Sequence, residues 1–190
     1  MKLFALIALF MSALLASGCA TVIDATTNEP IQVNPGKRSF GSYIDDQKLE
    51  TVIAVNMRKH SPDLKAAHIN IVSFNGIVLL TGQVNRNELR TQAGNVARNV
   101  HGVRQVFNEI LISGNTSILS RANDTWLTTK VKTVLLSNED IDSGRIKIVT
   151  ENGTVYLLGL LSRMEAEKAA NVVSHTKGVQ KVVKAIEYID

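Results

Sequence analysis

The sequence predicts an α+β protein, an α/β sandwich built from two tandem copies of one α-β-β-α-β unit. Each unit is expected to pack two helices on a three-stranded mixed sheet. Three observations lead there. The first is an internal repeat. Ile69-Asn-Ile-Val-Ser-Phe-Asn-Gly76-Ile-Val-Leu-Leu-Thr-Gly82 aligns with Ile146-Lys-Ile-Val-Thr-Glu-Asn-Gly153-Thr-Val-Tyr-Leu-Leu-Gly159, every position 77 residues from its counterpart. Gly102-Val103 matches Gly178-Val179 at 76, and Leu49, Ile53 and Met57 match Leu127, Val131 and Leu135 at 78, so single-residue indels in loops account for the drift. A period near 77 is too long for a solenoid unit and suits two domains. The second observation is an Asn-Gly pair between β-branched runs in each copy. The third is apolar spacing of helical period on either side of those runs.

The elements follow in order. Leu49, Val52, Ile53 and Met57, and in the second copy Leu127, Val131, Val134 and Leu135, recur at helical spacing. Asp124 stands where an N-cap of the second set would be. Ile69–Ser73 with Ile77–Thr81, and Ile146–Thr150 with Thr154–Leu158, read as strand pairs. Asn75-Gly76 and Asn152-Gly153 between them are hairpin signals, because a type I′ turn needs positive φ at two successive residues. Gly82 and Gly159 are expected to end the second strand of each copy. Ser162-Arg-Met-Glu165 has the form of a capping box and opens a helix whose Ala166, Ala169, Ala170 and Val173 share a face. Ala93, Val96, Ala97 and Val100 do so in the first copy. Small residues there bring helix and sheet close. Gly102 and Gly178 stop the helices, and Val103–Ile112 and Val179–Ile189 form the last strands. Domains of roughly 65–70 residues bury little apolar surface, so the two copies are expected to dock on each other.

The N-terminus reads differently. Residues 1–18, MKLFALIALFMSALLASG, carry one positive charge at Lys2 and an apolar run from Leu3 to Leu15, too short for an ordinary spanning helix. Small residues lead to Cys19, the single cysteine, which precludes an intramolecular disulfide. The pattern resembles a bacterial lipobox, with Ala16 where Leu is commonest, and implies cleavage before a cysteine whose sulfur carries lipid. Acylation at Cys19 would be effectively irreversible, since each buried methylene contributes about 0.8 kcal/mol. Ala20, rather than Asp, favours the outer membrane by resemblance to enterobacterial lipoproteins. The expected organisation is a lipoprotein signal peptide at 1–18, lipidated Cys19 and a tether over 19–45, domain 1 at 46–113, a linker at 114–122 and domain 2 at 123–190.

Composition excludes several functions. The formal net charge is +4, weak for nucleic-acid binding, and a single Trp offers no stacking platform. His60, His68, His101 and His175 are scattered without metal-ligand spacing, and Glu139, Asp140 and Asp142 lack the pattern of a calcium loop. No nucleophile elbow, P-loop or dinucleotide fingerprint occurs. Neither an enzyme, a cofactor nor a metal is expected.

Duplication supplies a control: features in both copies serve the fold, and features in one copy are candidates for function. Trp126 is the clearest asymmetry, with Lys48 at its counterpart. At about 100° per residue and Leu127 at zero, Trp126 falls near −100°, while Val131 and Val134 stay on the core stripe. Trp126 thus shares a flank with Lys130, flanked in turn by Arg121 and Lys132. An exposed Trp beside a Lys suits a membrane interface, where the ring sits at headgroup level and the lysine reaches a phosphate. Equally, Trp126 could cap the core edge or fill the interdomain contact, and the residues alone leave both readings open. Bulk charge does not favour the second copy. Residues 46–113 hold eight Lys or Arg and five Asp or Glu; residues 123–190 hold nine of each.

The twin Asn-Gly hairpins, the Gly–Val step before the last strand and their spacing resemble the BON domain family. Two such domains behind a lipobox are similar to the dual-BON outer-membrane lipoproteins. The resemblance implies a lipid-anchored protein of the outer membrane, on its periplasmic face, that supports envelope integrity. It also implies binding of anionic phospholipid (phosphatidylglycerol or cardiolipin) through the second domain. Trp126 would act as wedge, Leu127, Val131 and Val134 as apolar support, and Lys130 as phosphate partner. Two rivals stand beside this reading. One is a periplasmic scaffold for envelope or outer-membrane assembly proteins; the other is a membrane-damaging, haemolysin-like factor. A nucleic-acid partner is not expected.

Overall fold

A computed structural model describes residues 36–113 and 118–189. The expectations for the signal peptide, Cys19 and most of the tether lie outside the described residues. Domain 1 comprises α1 (Phe40–His60), a short α2 (Pro62–Ala66), β1 (His68–Phe74), β2 (Ile77–Val84), α3 (Asn87–Arg98), β3 (Gln105–Asn108) and β4 (Leu111–Ile112). Domain 2 comprises α4 (Ile118–Leu136), a 3-10 turn at Ser143–Arg145, β5 (Ile146–Glu151), β6 (Thr154–Leu161), α5 (Arg163–Ser174) and β7 (Lys181–Tyr188). In each sheet the second strand is central, antiparallel to the first and parallel to the last. The α+β class and the twofold α-β-β-α-β plan are those the sequence predicts.

The hairpin turns have the backbone that a type I′ turn demands. Asn75 and Gly76 take φ of 51° and 76°, and Asn152 and Gly153 take 49° and 71°. Ser162 and Glu165 form the reciprocal capping box of α5, with the Ser162 amide donating to Glu165 Oε2 at 2.7 Å and the Glu165 amide to Ser162 Oγ at 3.2 Å.

Several boundaries differ from expectation. Gly82 and Gly159 lie inside their strands, paired with Ile69 and Ile146, because β2 and β6 run on to Val84 and Leu161. Backbone crowding, not strand termination, calls for glycine there. A Cβ on Gly82, at φ +114°, would stand 2.1 Å from the His68 carbonyl oxygen, and one on Gly159 would stand 2.8 Å from that of Arg145. The last strand of domain 1 is interrupted between β3 and β4, and both pieces pair with β2 in parallel. Helix α1 starts at Phe40, inside the expected tether, and α4 starts at Ile118, inside the expected linker.

Asp124 is not an N-cap. It sits a turn inside α4, buried, and accepts hydrogen bonds from the Asn152 and Gly153 amides at 2.7 and 2.9 Å. Its counterpart Asp46 in α1 accepts from the Asn75 and Gly76 amides at 2.8 and 2.9 Å, and from Ser73 Oγ and Arg38 at 2.7 Å each. In both copies a helix carboxylate satisfies the two amides that the tight turn leaves without a ladder partner.

Each sheet is covered on both faces, which explains why β2 and β6 read as nearly unbroken apolar runs. Alternate residues pack under the domain's own helices: Val78 and Leu80 meet Ile53, Met57 and Ala93, while Val155 and Leu157 meet Leu127, Val131 and Ala169. The other face of each sheet packs on its partner. Val72, Phe74 and Leu79 meet Tyr156, Leu158, Leu160 and Ala185 in a core shared by the domains. Burial, with the nearby Glu109 and Glu151 charges, pushes the Tyr156 phenol up to about 12.

Polar contacts frame this core. Lys147 Nζ donates to Glu50 Oε1 and to the Ser73 carbonyl, each at 3.2 Å, and Gln83 Nε2 to Glu151 Oε1 at 2.8 Å. Asn75 Nδ2 donates to Glu187 Oε2 at 2.9 Å, and Arg104 grips the same carboxylate through both terminal nitrogens at 2.7 and 2.5 Å. The Arg104 contact, foremost, holds the Glu187 carboxyl below the usual range.

A candidate lipid-contact face on the second domain

Helix α4 places Trp126 on its outer flank, 58% exposed, away from both cores. The ring therefore neither caps the core edge nor fills the interdomain contact, since the residues between the domains are those of the sheet faces. Lys130 lies one turn on, its Nζ 5.1 Å from the Trp126 ring centroid, within cation–π range. That ammonium donates to the Lys177 carbonyl at 2.8 Å, bridging α4 to the loop after α5. An ammonium has three donors, so this bond leaves directions open to a phosphate. Lys177 is exposed nearby, and Lys132 is exposed on another side of the helix; the Arg121 side chain lies outside the described residues.

The polar residues of this flank turn inward. Thr129 Oγ1 donates to the Thr125 carbonyl, Thr133 Oγ1 to that of Thr129, and Ser137 Oγ to that of Thr133, at 2.9–3.1 Å. Hydroxyls bonded to their own helix carry less desolvation cost into an interfacial environment than free ones. Leu136, 73% exposed, adds apolar surface at the far end of the helix. Sequence reasoning missed it because it stands next to Leu135, which the core claims.

The apolar support expected from α4 is corrected. Leu127 and Val131 are 1% and 0% exposed and pack against Val155, Leu157 and Ala169, so neither presents surface to a membrane. They hold the helix on its sheet and thereby aim Trp126 outward. Val134 is half-buried. Trp126 and Lys130 are brought together, then, while Leu127 and Val131 lie in the core beneath the helix.

The corresponding place in domain 1 is open. Val52 is the counterpart of Lys130 and cannot bridge to the loop after α3. A cleft of about 710 Å³ remains there, lined by Lys48, Leu49, Val52, Asn56, His101 and Arg104 among others. Among the described residues no group of three His, Cys, Asp or Glu could hold a metal ion, and no helix is long and apolar enough to cross a membrane.

The model of the BON domain matches this chain twice, over residues 45–114 and 123–190. The chain belongs to the BON domain family. Several similar proteins cover most of its length. A "21 kDa hemolysin" of Actinobacillus pleuropneumoniae is 38% identical over 80% of this chain and 78% of its own. "Outer membrane lipoprotein DolP" of Haemophilus influenzae is 34% identical over 91% and 90%. "Osmotically-inducible protein Y" of Escherichia coli is 26% identical over 93% and 91%.

Proposed function

We propose that this dual-BON chain is a non-catalytic lipoprotein of the outer membrane that binds anionic phospholipid through its second domain and supports envelope integrity. In this reading residues 1–18 are a signal peptide, Cys19 carries the acyl anchor, and the body (BON domains at 46–113 and 123–190, joined by 114–122) faces the periplasm. The observation that carries it is the exposed Trp126 over Lys130 on a helix flank whose hydroxyls are already bonded. Such a flank places an amphipathic ring at headgroup level and a cation at phosphate level. The lipobox and the name of the DolP relative support the location. Phosphatidylglycerol and cardiolipin are the candidate lipids.

The test uses Trp126 as its own reporter. The chain from residue 20 onward, without its anchor, is mixed with vesicles of phosphatidylcholine alone or with phosphatidylglycerol or cardiolipin. Expected are a blue shift of Trp emission and pelleting with anionic vesicles only, weakened by salt, with pelleting lost in Trp126→Ala. The same substitution should leave thermal stability within about 0.5 kcal/mol, because the side chain is exposed. An unmoved spectrum with no pelleting at low salt rejects lipid reading by this face.

A second reading is favoured by the open cleft of domain 1. If Trp126→Ala retains lipid binding but Val52→Lys, which would close the cleft, releases an envelope or outer-membrane assembly protein, the chain is a scaffold. The relative named as a hemolysin suggests a third reading. It predicts lysis of erythrocytes by the purified chain without its anchor.

A further inference from the structure

Helix α1 begins with a ridge of large apolar side chains that stay exposed. Phe40, Tyr43 and Ile44 stand at i, i+3 and i+4, so they share one helix face, and they are 80%, 45% and 39% exposed. The counterpart positions in the second copy, 78 residues on, are Ile118, Arg121 and Ala122, so the aromatic ridge belongs to one copy only. By the duplication control it is not a requirement of the fold.

The chain just before the ridge is pinned to the body. Arg145 donates from Nε to the Gly36 carbonyl at 3.1 Å, from one terminal nitrogen to the Leu160 carbonyl at 2.6 Å, and from the other to Glu165 at 2.6 Å. Gly36 is buried. Two residues on, Arg38 bonds Asp46 at 2.7 Å and lies over the Tyr43 and Phe74 rings at 5.0 and 4.5 Å. The N-terminal segment therefore enters at a defined place, beside the open end of the β5–β6 hairpin. Phe40 follows Gly36 by four residues.

We infer that the Phe40–Tyr43–Ile44 ridge is a second membrane-contact surface, seated in the bilayer that holds the acyl chain. The inference rests on the proposed lipidation of Cys19. From Cys19 to Gly36 is 17 residues, a reach of at most roughly 60 Å in any conformation, so an anchored bilayer is always within range of the body. The pinned strap decides which end of the body is drawn toward it, and the ridge is the first large apolar surface there. Tethering turns its insertion into an intramolecular event, which makes a small apolar contact effective. Lys48 is paired to Asp45 at 3.3 Å and Arg38 to Asp46 at 2.7 Å, so apolar surface rather than lipid charge drives this contact. Trp126 lies near the other end of domain 2, since Asp124, two residues before it, bonds the closed end of the same hairpin. Along the strand direction the two contacts are thus offset by about the length of a six-residue strand, roughly 20 Å.

The test uses the full-length acylated chain in phosphatidylcholine vesicles, with and without phosphatidylglycerol. Ile44→Cys carries an environment-sensitive fluorophore, and nitroxide lipids serve as quenchers. Expected are a blue-shifted label and loss of most of its emission to headgroup-level nitroxides in both vesicle types, unchanged by high salt and by Trp126→Ala. Adding Phe40→Ser and Tyr43→Ser, exposed changes that leave the thermal midpoint in place, should abolish the quenching. A label as accessible to water in vesicles as in vesicle-free solution overturns the proposal. So does a concentration-dependent blue shift without vesicles, which would assign the ridge to a second copy of the chain. Trp126 quenching, read in the same samples, reports on the second-domain face independently. A chain that fails to float with the vesicles removes the anchor and this inference together, leaving the Trp126 face to its own binding assay.

Discussion

At the scale of single residues, the turn carboxylates matter most to stability. Asp46 is buried, which alone would raise its pKa. The Gly76 amide, the Ser73 hydroxyl, the Asn75 amide and Arg38 all bond the charged form, and together they hold the carboxyl below its ordinary value. A depressed folded-state pKa contributes stability that is fully present above the unfolded value, near 4, and is lost as pH falls through the lower folded one. Asp46→Asn keeps one acceptor oxygen and loses the other, which serves Asn75 and Arg38. It should cost roughly 3 kcal/mol at neutral pH by leaving a part-buried amide and a guanidinium short of a partner. Denaturant titrations of both proteins across acid pH should show the gap narrowing below about pH 4; a gap independent of pH would mean that the charge is not what the turn uses. Neither aspartate's role was legible in the sequence. Asp124 precedes an apolar period, which is what an N-cap does, and its true partners are 28 residues away.

At the scale of elements, the sequence was most readable where backbone chemistry is local. The Asn-Gly turns and the Ser162 capping box are set by three or four consecutive residues. The strand ends were less readable, because a glycine that ends a strand and one that admits a neighbouring carbonyl look alike. The structure separates them, and also ranks the two. Gly82 has both a positive φ and a carbonyl 2.1 Å from a would-be Cβ, whereas Gly159 has ordinary φ and 2.8 Å. Gly82→Ala should therefore destabilise by roughly 3 kcal/mol or more and Gly159→Ala by about half that. Thermal midpoints that fall equally would show that neither the positive φ nor the closer approach adds to the cost at Gly82. The candidate face was half legible. Helical angle put Trp126 and Lys130 on one flank, but angle cannot say how wide the buried stripe is, and Leu127 and Val131 turned out to be inside it. The Phe40 ridge went unread because residues 40–45 lack the core-facing period by which a helix is recognised.

At the scale of the whole molecule, the shared sheet-to-sheet core makes the two domains one folding problem. Removing domain 1 bares Tyr156, Leu158, Leu160 and Ala185, and each large apolar side chain so exposed forfeits about 1.5–3 kcal/mol. An excised domain 2, cut at residue 118, is expected to self-associate through that face, giving a sedimentation mass above the monomer; Leu158→Glu should return it to a monomer. A monomeric, fully folded fragment with the native face would show that the shared core is dispensable.

The polar frame around that core is reciprocal. The hairpin turn of domain 1 reaches Glu187 at the end of β7, and Glu151, beside the hairpin turn of domain 2, receives Gln83 near the end of β2. The copies therefore lie antiparallel, each hairpin turn against a strand end of the other, as the halves of an isologous dimer do. In a dimer of identical chains every substitution appears twice, so a surface suited to one side of the axis is imposed on the other. Joining both halves in one chain lifts that constraint. One half can then carry a tryptophan and the other an aromatic ridge without either being copied across the axis, and an approximate symmetry becomes a means of giving one molecule two unlike ends.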